Sequence, residues 1–295
     1  MLDVAKRTGN DQVVGLIEEV LDAAPELQVL PIRYKKGTSY TTLKRTAFTG
    51  GGFRKTNEGT EVVKSSYVKQ LVEMFFFDAQ MEVDEALVAA DPSLLTDEAV
   101  GVTRGSLINL GKQVFAGLAE DSGGFDGFKN LVDASMVVDA GGTGDDTHTV
   151  YFVVANDQGV TIPMNEETLL QLGEWVRQKL KDDDGKSYHA FCNNLRAWIG
   201  LQVGHKFAVG VIKNITAAKP LTDDLGHELE ALFPVGMKAT HAFMSRQAKL
   251  GLRKSRNAVG AQKSNGKGDA SSPMPTEIAD VPIVTTDSID TVAAW

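Results

Sequence analysis

Apolar residues change their spacing several times along this chain, and each change marks an element. Val13, Val14, Leu16, Ile17, Val20 and Leu21 share one face at helical spacing. They predict a helix from Asp11 to Ala24, capped by Asn10 and stopped by Pro25. The pattern turns β-branched and aromatic over Leu27–Tyr34 and Ser39–Phe48, with Gly37 between them. Thr49-Gly50-Gly51-Gly52-Phe53 reads as a flexible tip, and a return strand is expected over Thr60–Phe77. Two-stranded ribbons are marginal in isolation, so this long hairpin must lie on another surface.

The longest helical pattern runs from Thr96, read as its N-cap, to Glu120. Val100, Leu107, Ile108, Val114, Phe115 and Leu118 form its expected buried stripe. Gly101, Gly105, Gly111 and Gly117 should each cost up to ~1 kcal/mol relative to Ala. They make sense only where another backbone approaches closely, or where the helix is broken. Further on, Thr149–Ala155 and Gly159–Met164 read as a hairpin around Asn156-Asp157-Gln158. A helix over Glu166–Lys181, a strand over Lys206–Thr216 and a helix over Thr222–Phe233 follow. His241–Ala258 reads as a basic helix and Gln262–Pro275 as a loop. Strands and helices interleave without βαβ regularity, so the class is α+β.

Composition narrows the function. The 295 residues can bury a sizeable core, and 42% hydrophobic with 23% charged residues is ordinary for a soluble globular chain. A net charge of −9 argues against a dedicated nucleic-acid binder. The single cysteine, Cys192, excludes a disulfide framework and suits a reducing compartment. No apolar run approaches the ~20 residues of a membrane span, and the start lacks the apolar core of a signal peptide. A cytosolic product with no membrane partner is expected.

Charge is unevenly spread. From Leu27 to Asn57 there is no acid, yet Arg33, Lys35, Lys36, Lys44, Arg45, Arg54 and Lys55 fall there. Ser245–Gly268 is a second acid-free stretch, holding Arg246, Lys249, Arg253, Lys254, Arg256, Lys263 and Lys267. Such a molecule can dock copies of itself, basic arm on acidic body. Glu82, Asp84 and Glu85 are the acids expected to receive the arm.

Catalytic patterns are missing. Gly141-Gly142-Thr143-Gly144 lacks the lysine of a P-loop and reads as a tight turn. Asp182-Asp183-Asp184-Gly185 lacks the bidentate Glu of a calcium loop and reads as a solvated turn. The five histidines show no metal-ligand spacing, no Ser sits in a nucleophile elbow, and Cys192 reads as a small buried hydrophobe. No catalytic residue, cofactor or metal is expected.

Four stretches carry a resemblance: Thr49–Gly59, Met81–Leu87, Val137–Val154, and Trp198–Val203 with Lys213-Asn214-Ile215. In this order they resemble the major capsid proteins of tailed bacteriophages, with the Hong Kong 97-type fold. The resemblance implies an N-terminal arm over 1–26 and an extended loop over 27–66. It implies a peripheral domain with a spine helix over 67–139, and a mainly axial domain over 140–295. It implies a subunit that forms pentamers and hexamers and encloses a phage genome in an icosahedral shell. A separate scaffolding protein, a portal, weak non-specific contact with packaged DNA, and residence in the virion after assembly in the host cytoplasm also follow from it. The alternatives are the shell of an encapsulin-type nanocompartment, a phospholigand-binding enzyme using the Gly141–Gly144 turn, and a tail-tube subunit.

Overall fold

The computed structural model describes residues 21–47, 49–64, 66–144, 146–166, 170–263 and 273–289. A seven-stranded sheet runs in the order Ile32–Lys35, Val160–Asn165, Ser187–Ile199, Phe75–Asp84. Gln202–Val203, Gln171–Leu172 and Val176–Lys181 pair at its sides. Its backbone is the antiparallel pairing of the two longest strands, from Phe75↔Ile199 to Asp84↔Ala190. Asp84 then accepts from the Ala86 N–H at 2.7 Å and caps the short helix Glu85–Ala90.

The helix Leu94–Ala116 lies across Phe75–Asp84. It starts before Thr96, with Ser93 at the N-cap, and ends in a 3-10 turn over Gly117–Ala119. Ala99, Thr103, Leu107, Leu110 and Val114 form its buried stripe at helical spacing. Small and polar residues fill the N-terminal half of that stripe. The expected Val100 and Ile108 are only half-buried, and Leu118 is exposed. Close approach explains two of the four glycines. A Cβ on Gly111 would stand 1.9 Å from Glu26 Oε1, and one on Gly117 would stand 2.1 Å from the Gly127 nitrogen. Gly117 also ends the helix at φ +60°, a left-handed conformation that favours glycine. Gly101 and Gly105 face open space.

A six-stranded sheet runs in the order Glu277–Ile278, Val281–Thr285, His241–Met244, His148–Val153, Val209–Ile215, Val137–Asp139. Tyr151, Val153, Val209, Val211 and Phe243 point into the core shared with the long helix. Val150, Phe152, Val154 and Met244 point the other way. There they meet Leu229 of the helix Asp223–Ala231 and Leu252 of the helix Arg246–Lys263. Both faces are covered, which is why the run reads as continuously apolar. Phe115 ties the layers together: its ring lies 5.2 Å from Tyr151, 5.6 Å from Phe128 and 5.8 Å from Phe243.

Several expected elements differ. Residues 11–20 of the first helix lie outside the described residues, and Leu21–Ala23 is a 3-10 turn. Leu27–Tyr34 opens with a short helix, Glu26–Val29, because Leu27 and Leu30 are drawn into the core before the strand begins. The expected return strand begins at Ser66 and is interrupted at Met74, where the chain enters the seven-stranded sheet. The Asn156 turn forms, its Oδ1 accepting from Gln158 N at 3.0 Å and Gly159 N at 2.7 Å. Its flanking strands nevertheless part into different sheets. Within Glu166–Lys181 there is no helix among the described residues. Val176–Lys181 is a strand paired with Ser187–Cys192. His241–Met244 is a strand ahead of the basic helix. Of the expected Gln262–Pro275 loop, residues 264–272 lie outside the described residues, while Gln262 and Lys263 end that helix. The helix after Thr222 forms as expected, with Thr222 Oγ1 accepting from Leu225 N at 3.3 Å.

Candidate assembly interface

Ser39–Ala47 and Ser66–Glu73 pair antiparallel from Ser39↔Glu73 to Ala47↔Ser66. The root of this hairpin is fixed. Met74 is buried and its N–H donates to Thr38 O at 2.8 Å. Gly200 lies so close that a Cβ there would stand 2.4 Å from Glu73 O. Outward from the root most of the ribbon is exposed. Leu43, Val68 and Leu71 are 59%, 56% and 59% exposed, and Phe53 and Val62 at the tip are almost wholly so. Leu43 and Leu71 share one face and Val68 lies on the other, so both faces of the ribbon expose apolar surface, and burying such a side chain is worth roughly 1.5–3 kcal/mol. The charge of this ribbon stands out in the sequence, whereas its exposed apolar content does not. The cue was available: Leu43, Val68 and Leu71 are large apolar residues in a ribbon with no core to enter.

The basic residues divide by role. Arg33 is committed within the chain, donating through Nη1 to Gln202 Oε1 at 3.2 Å and through Nη2 to the Asp157 carbonyl. The Tyr40 hydroxyl meets the same Gln202 oxygen. Lys35 Nζ stands 5.3 Å from the centre of the Tyr40 ring, within cation–π range. Lys44 is half-buried, and burial pushes its ammonium down while the nearby Asp133 carboxylate partly restores it. Lys36, Arg54 and Lys55 are exposed. Arg54 Nη1 donates to Glu58 O at 3.0 Å. Arg45 occupies a strand position opposite Tyr67. Lys64 and Lys69 add exposed charge to the same ribbon. Glu58 closes the acid-free window before them, so they lie outside the basic stretch that the sequence marks.

The acids sit elsewhere and are partly engaged. Glu82 accepts from the Tyr188 hydroxyl at 3.2 Å, and Glu85 pairs with Arg177 at 2.7 Å. Asp84 serves as the helix cap. All three lie at or just past the end of Phe75–Asp84 remote from the hairpin root, about 23–30 Å away at ~3.3 Å per residue. Within one subunit the basic ribbon and the acids are not brought together.

The Gly141–Gly144 and Asn214-Ile215 segments meet in one knot. Asn214 Nδ2 donates to both Asp139 oxygens at 2.9 Å, Asp139 Oδ1 accepts from Gly141 N at 2.8 Å, and Gly142 N donates to Asn214 O at 3.0 Å. The Gly141 N–H and then the Asn214 amide hold the Asp139 carboxyl below its usual range. This is the turn that the sequence suggested, with the Gly141 and Gly142 N–H groups already occupied. Cys192 is buried, and burial, reinforced by Glu82, pushes its thiol up and away from reactivity. Among the described residues no group of three His, Cys, Asp or Glu is placed to hold a metal, and no helix is long and apolar enough to cross a membrane.

A family profile described as Major capsid protein GP7 matches residues 10–292. The chain belongs to this family of major capsid proteins. No curated protein sequence matches it significantly. Among solved structures it resembles that of bacteriophage Epsilon15, with 16% identity, a TM-score of 0.55, and coverage of 88% of this chain and 87% of that one. It also resembles the bacteriophage JBD30 capsid, with 11% identity, a TM-score of 0.51, and coverage of 89% and 90%. These likenesses establish the fold, the Hong Kong 97-type α+β architecture of phage shells. Capsid proteins of this family work as shell components of the virion and not as enzymes. The nanocompartment, phospholigand-enzyme and tail-tube readings give way to the capsid one.

Proposed function

We propose that copies of this capsid protein close into pentamers and hexamers, and that each lays its hairpin on a neighbouring subunit. The observation that carries this is the exposed ribbon itself. It joins exposed apolar side chains and the exposed cations Arg54, Lys55, Lys64 and Lys69 on an element with no core of its own, while the Glu82–Glu85 acids lie beyond its reach in the same chain. The seven-stranded sheet with the long helix would form the peripheral domain of 67–139 and its returning strands. The six-stranded sheet would form the axial domain within 140–295. The arm of 1–26, a separate scaffolding protein, a portal and host-cytoplasmic assembly belong to the same proposal. Packaged DNA would meet at most weak, salt-sensitive attraction, from cations such as those of the Arg246–Lys263 helix.

The test is charge reversal on the exposed cations alone. Lys36, Arg54, Lys55 and Lys64 are changed together to Glu, leaving the internally braced Arg33 and the half-buried Lys44 in place. The variant should stay folded by circular dichroism while electron microscopy shows failed or aberrant particles. Normal shells at low salt would remove the hairpin's electrostatic role.

A further inference from the structure

We propose that Phe53 at the hairpin tip is a plug that seats in a preformed cavity of a second copy of this chain. The proposal rests on the reading that the hairpin docks on a neighbour, and it specifies where the tip lands. A cavity of about 270 Å³ opens between the C-terminal end of the long helix and the start of Phe75–Asp84. Phe75, Phe77, Phe125, Leu110 and Ile199 supply its apolar lining. Its wall is fixed before any ligand arrives. Gln113 is buried in the helix and donates through Nε2 to Phe125 O at 2.7 Å and Asp121 O at 3.3 Å. Gly124 leaves room for that amide, since a Cβ there would stand 2.5 Å from Gln113 Nε2. Small-molecule sites usually span roughly 300–1,000 Å³, so this volume suits a single side chain better than a free ligand.

The tip matches this cavity in apolar character and in charge. Phe53 is fully exposed, and Arg54 and Lys55 follow it at once. Glu120 and Asp121 stand on the cavity rim, and Asp126 lines the hollow beside it. Lys112, 3.8 Å from Glu120, offsets one of these charges and leaves the rim acidic. Arg54 donates to a carbonyl oxygen and not to a carboxylate, so its charge is available. A Phe-Arg-Lys tip therefore offers an apolar plug with two cations placed for the acids around the opening.

The occupant must come from another copy. Phe75 lies two residues past the root of the hairpin, whereas Phe53 lies beyond its far end. The eight paired residues of Ser66–Glu73 alone separate the two by about 25 Å at ~3.3 Å each. A contact in which the tip of one copy meets the root of the next is head-to-tail. Such contacts close into rings or propagate without end, and a capsomer is a ring.

The experiment is disulfide trapping in assembled particles. Phe53→Cys is combined with Asp121→Cys in a Cys192→Ala chain, assembled, oxidised, and run on denaturing gels without reductant. Cross-linked multimers are expected from this pair and none from Phe53→Cys with Asp183→Cys, whose turn lies far from the cavity. Intact shells without the ladder, or with an equal ladder from the control pair, overturn the plug and leave hairpin docking standing. If the paired cysteines prevent assembly, single substitutions decide. Phe53→Trp should keep assembly, while Phe53→Glu should weaken each contact about tenfold or more, the scale of one aromatic side chain left in water. Normal assembly of Phe53→Glu overturns the plug. Normal assembly of the quadruple charge reversal counts instead against the electrostatic part of the docking.

Discussion

The Ser288 hydroxyl donates to Glu26 Oε1 at 2.6 Å, joining residues 262 positions apart inside the protein. Gly111 of the long helix packs beneath the same carboxylate, so three distant segments meet at one buried acid. Glu26 is fully buried and its Oε2 has no hydrogen-bond partner. Burial pushes its carboxyl above the usual range, against the Ser288 and Thr286 hydroxyls, while Asp287 adds repulsion. The folded state therefore holds this proton more tightly than the unfolded chain does. The contribution is complete below the ordinary carboxylate pKa of ~4.5 and is lost as pH rises through the raised folded value. Glu26→Gln keeps an acceptor for Ser288 and removes the charge. Urea unfolding of the subunit should show the variant more stable near pH 8 and its stability flatter between about pH 5 and 8. An unchanged pH slope would remove Glu26 from this role.

The glycines of the long helix should respond in opposite directions. Gly117→Ala must push a methyl into the Gly127 backbone at a left-handed φ, and should cost on the order of 2–4 kcal/mol or prevent folding. Gly101→Ala and Gly105→Ala meet nothing within 4 Å and should each stabilise by ~0.5–1 kcal/mol. Thermal melts of the three variants check both signs.

Asn214 holds a left-handed conformation at φ 59° while its amide donates to Asp139. Asn214→Asp keeps the shape, loses the donor and sets two carboxylates face to face. Its destabilisation should be on the order of 1–3 kcal/mol near pH 7 and should shrink as pH falls through the carboxylate range, where the repulsion is neutralised. A loss independent of pH would mean that backbone geometry, and not charge, governs this turn.

The basic helix should bind DNA less than its sequence suggests. Arg256 is committed to Asp223 through Nε and Nη2 at 2.8 and 2.6 Å, and Arg246 to Asp287 at 2.9 Å. Fluorescence anisotropy on duplex DNA should therefore show weak, sequence-independent binding with a salt slope shallower than the six cations of the helix would give. Tight sequence-specific binding would contradict this.

The hairpin was legible in the sequence because charge, glycines and strand formers agreed over one local stretch. Val176–Lys181 was not. Its Arg, Gln, Lys and Leu are good helix formers, yet pairing with Ser187–Cys192 decides its state, and its charges suit a solvated strand at the sheet's side. The parting of Thr149–Ala155 from Gly159–Met164 was hidden for a different reason. Residues buried on both faces lack the alternation that would say which sheet each strand joins. The candidate cavity was out of reach altogether, since Gln113, Phe125 and Ile199 converge only in space.

The strand His148–Val153 acts as a bulkhead. Tyr151 and Val153 belong to one core, Val150 and Phe152 to the other, so no plane divides the subunit without tearing a wall from both compartments. The two sheets form a single cooperative unit, and calorimetry of the isolated subunit should record one melting transition where two would be expected of independent domains. A shell built from such units should therefore come apart at the joints between copies before any one of them divides within.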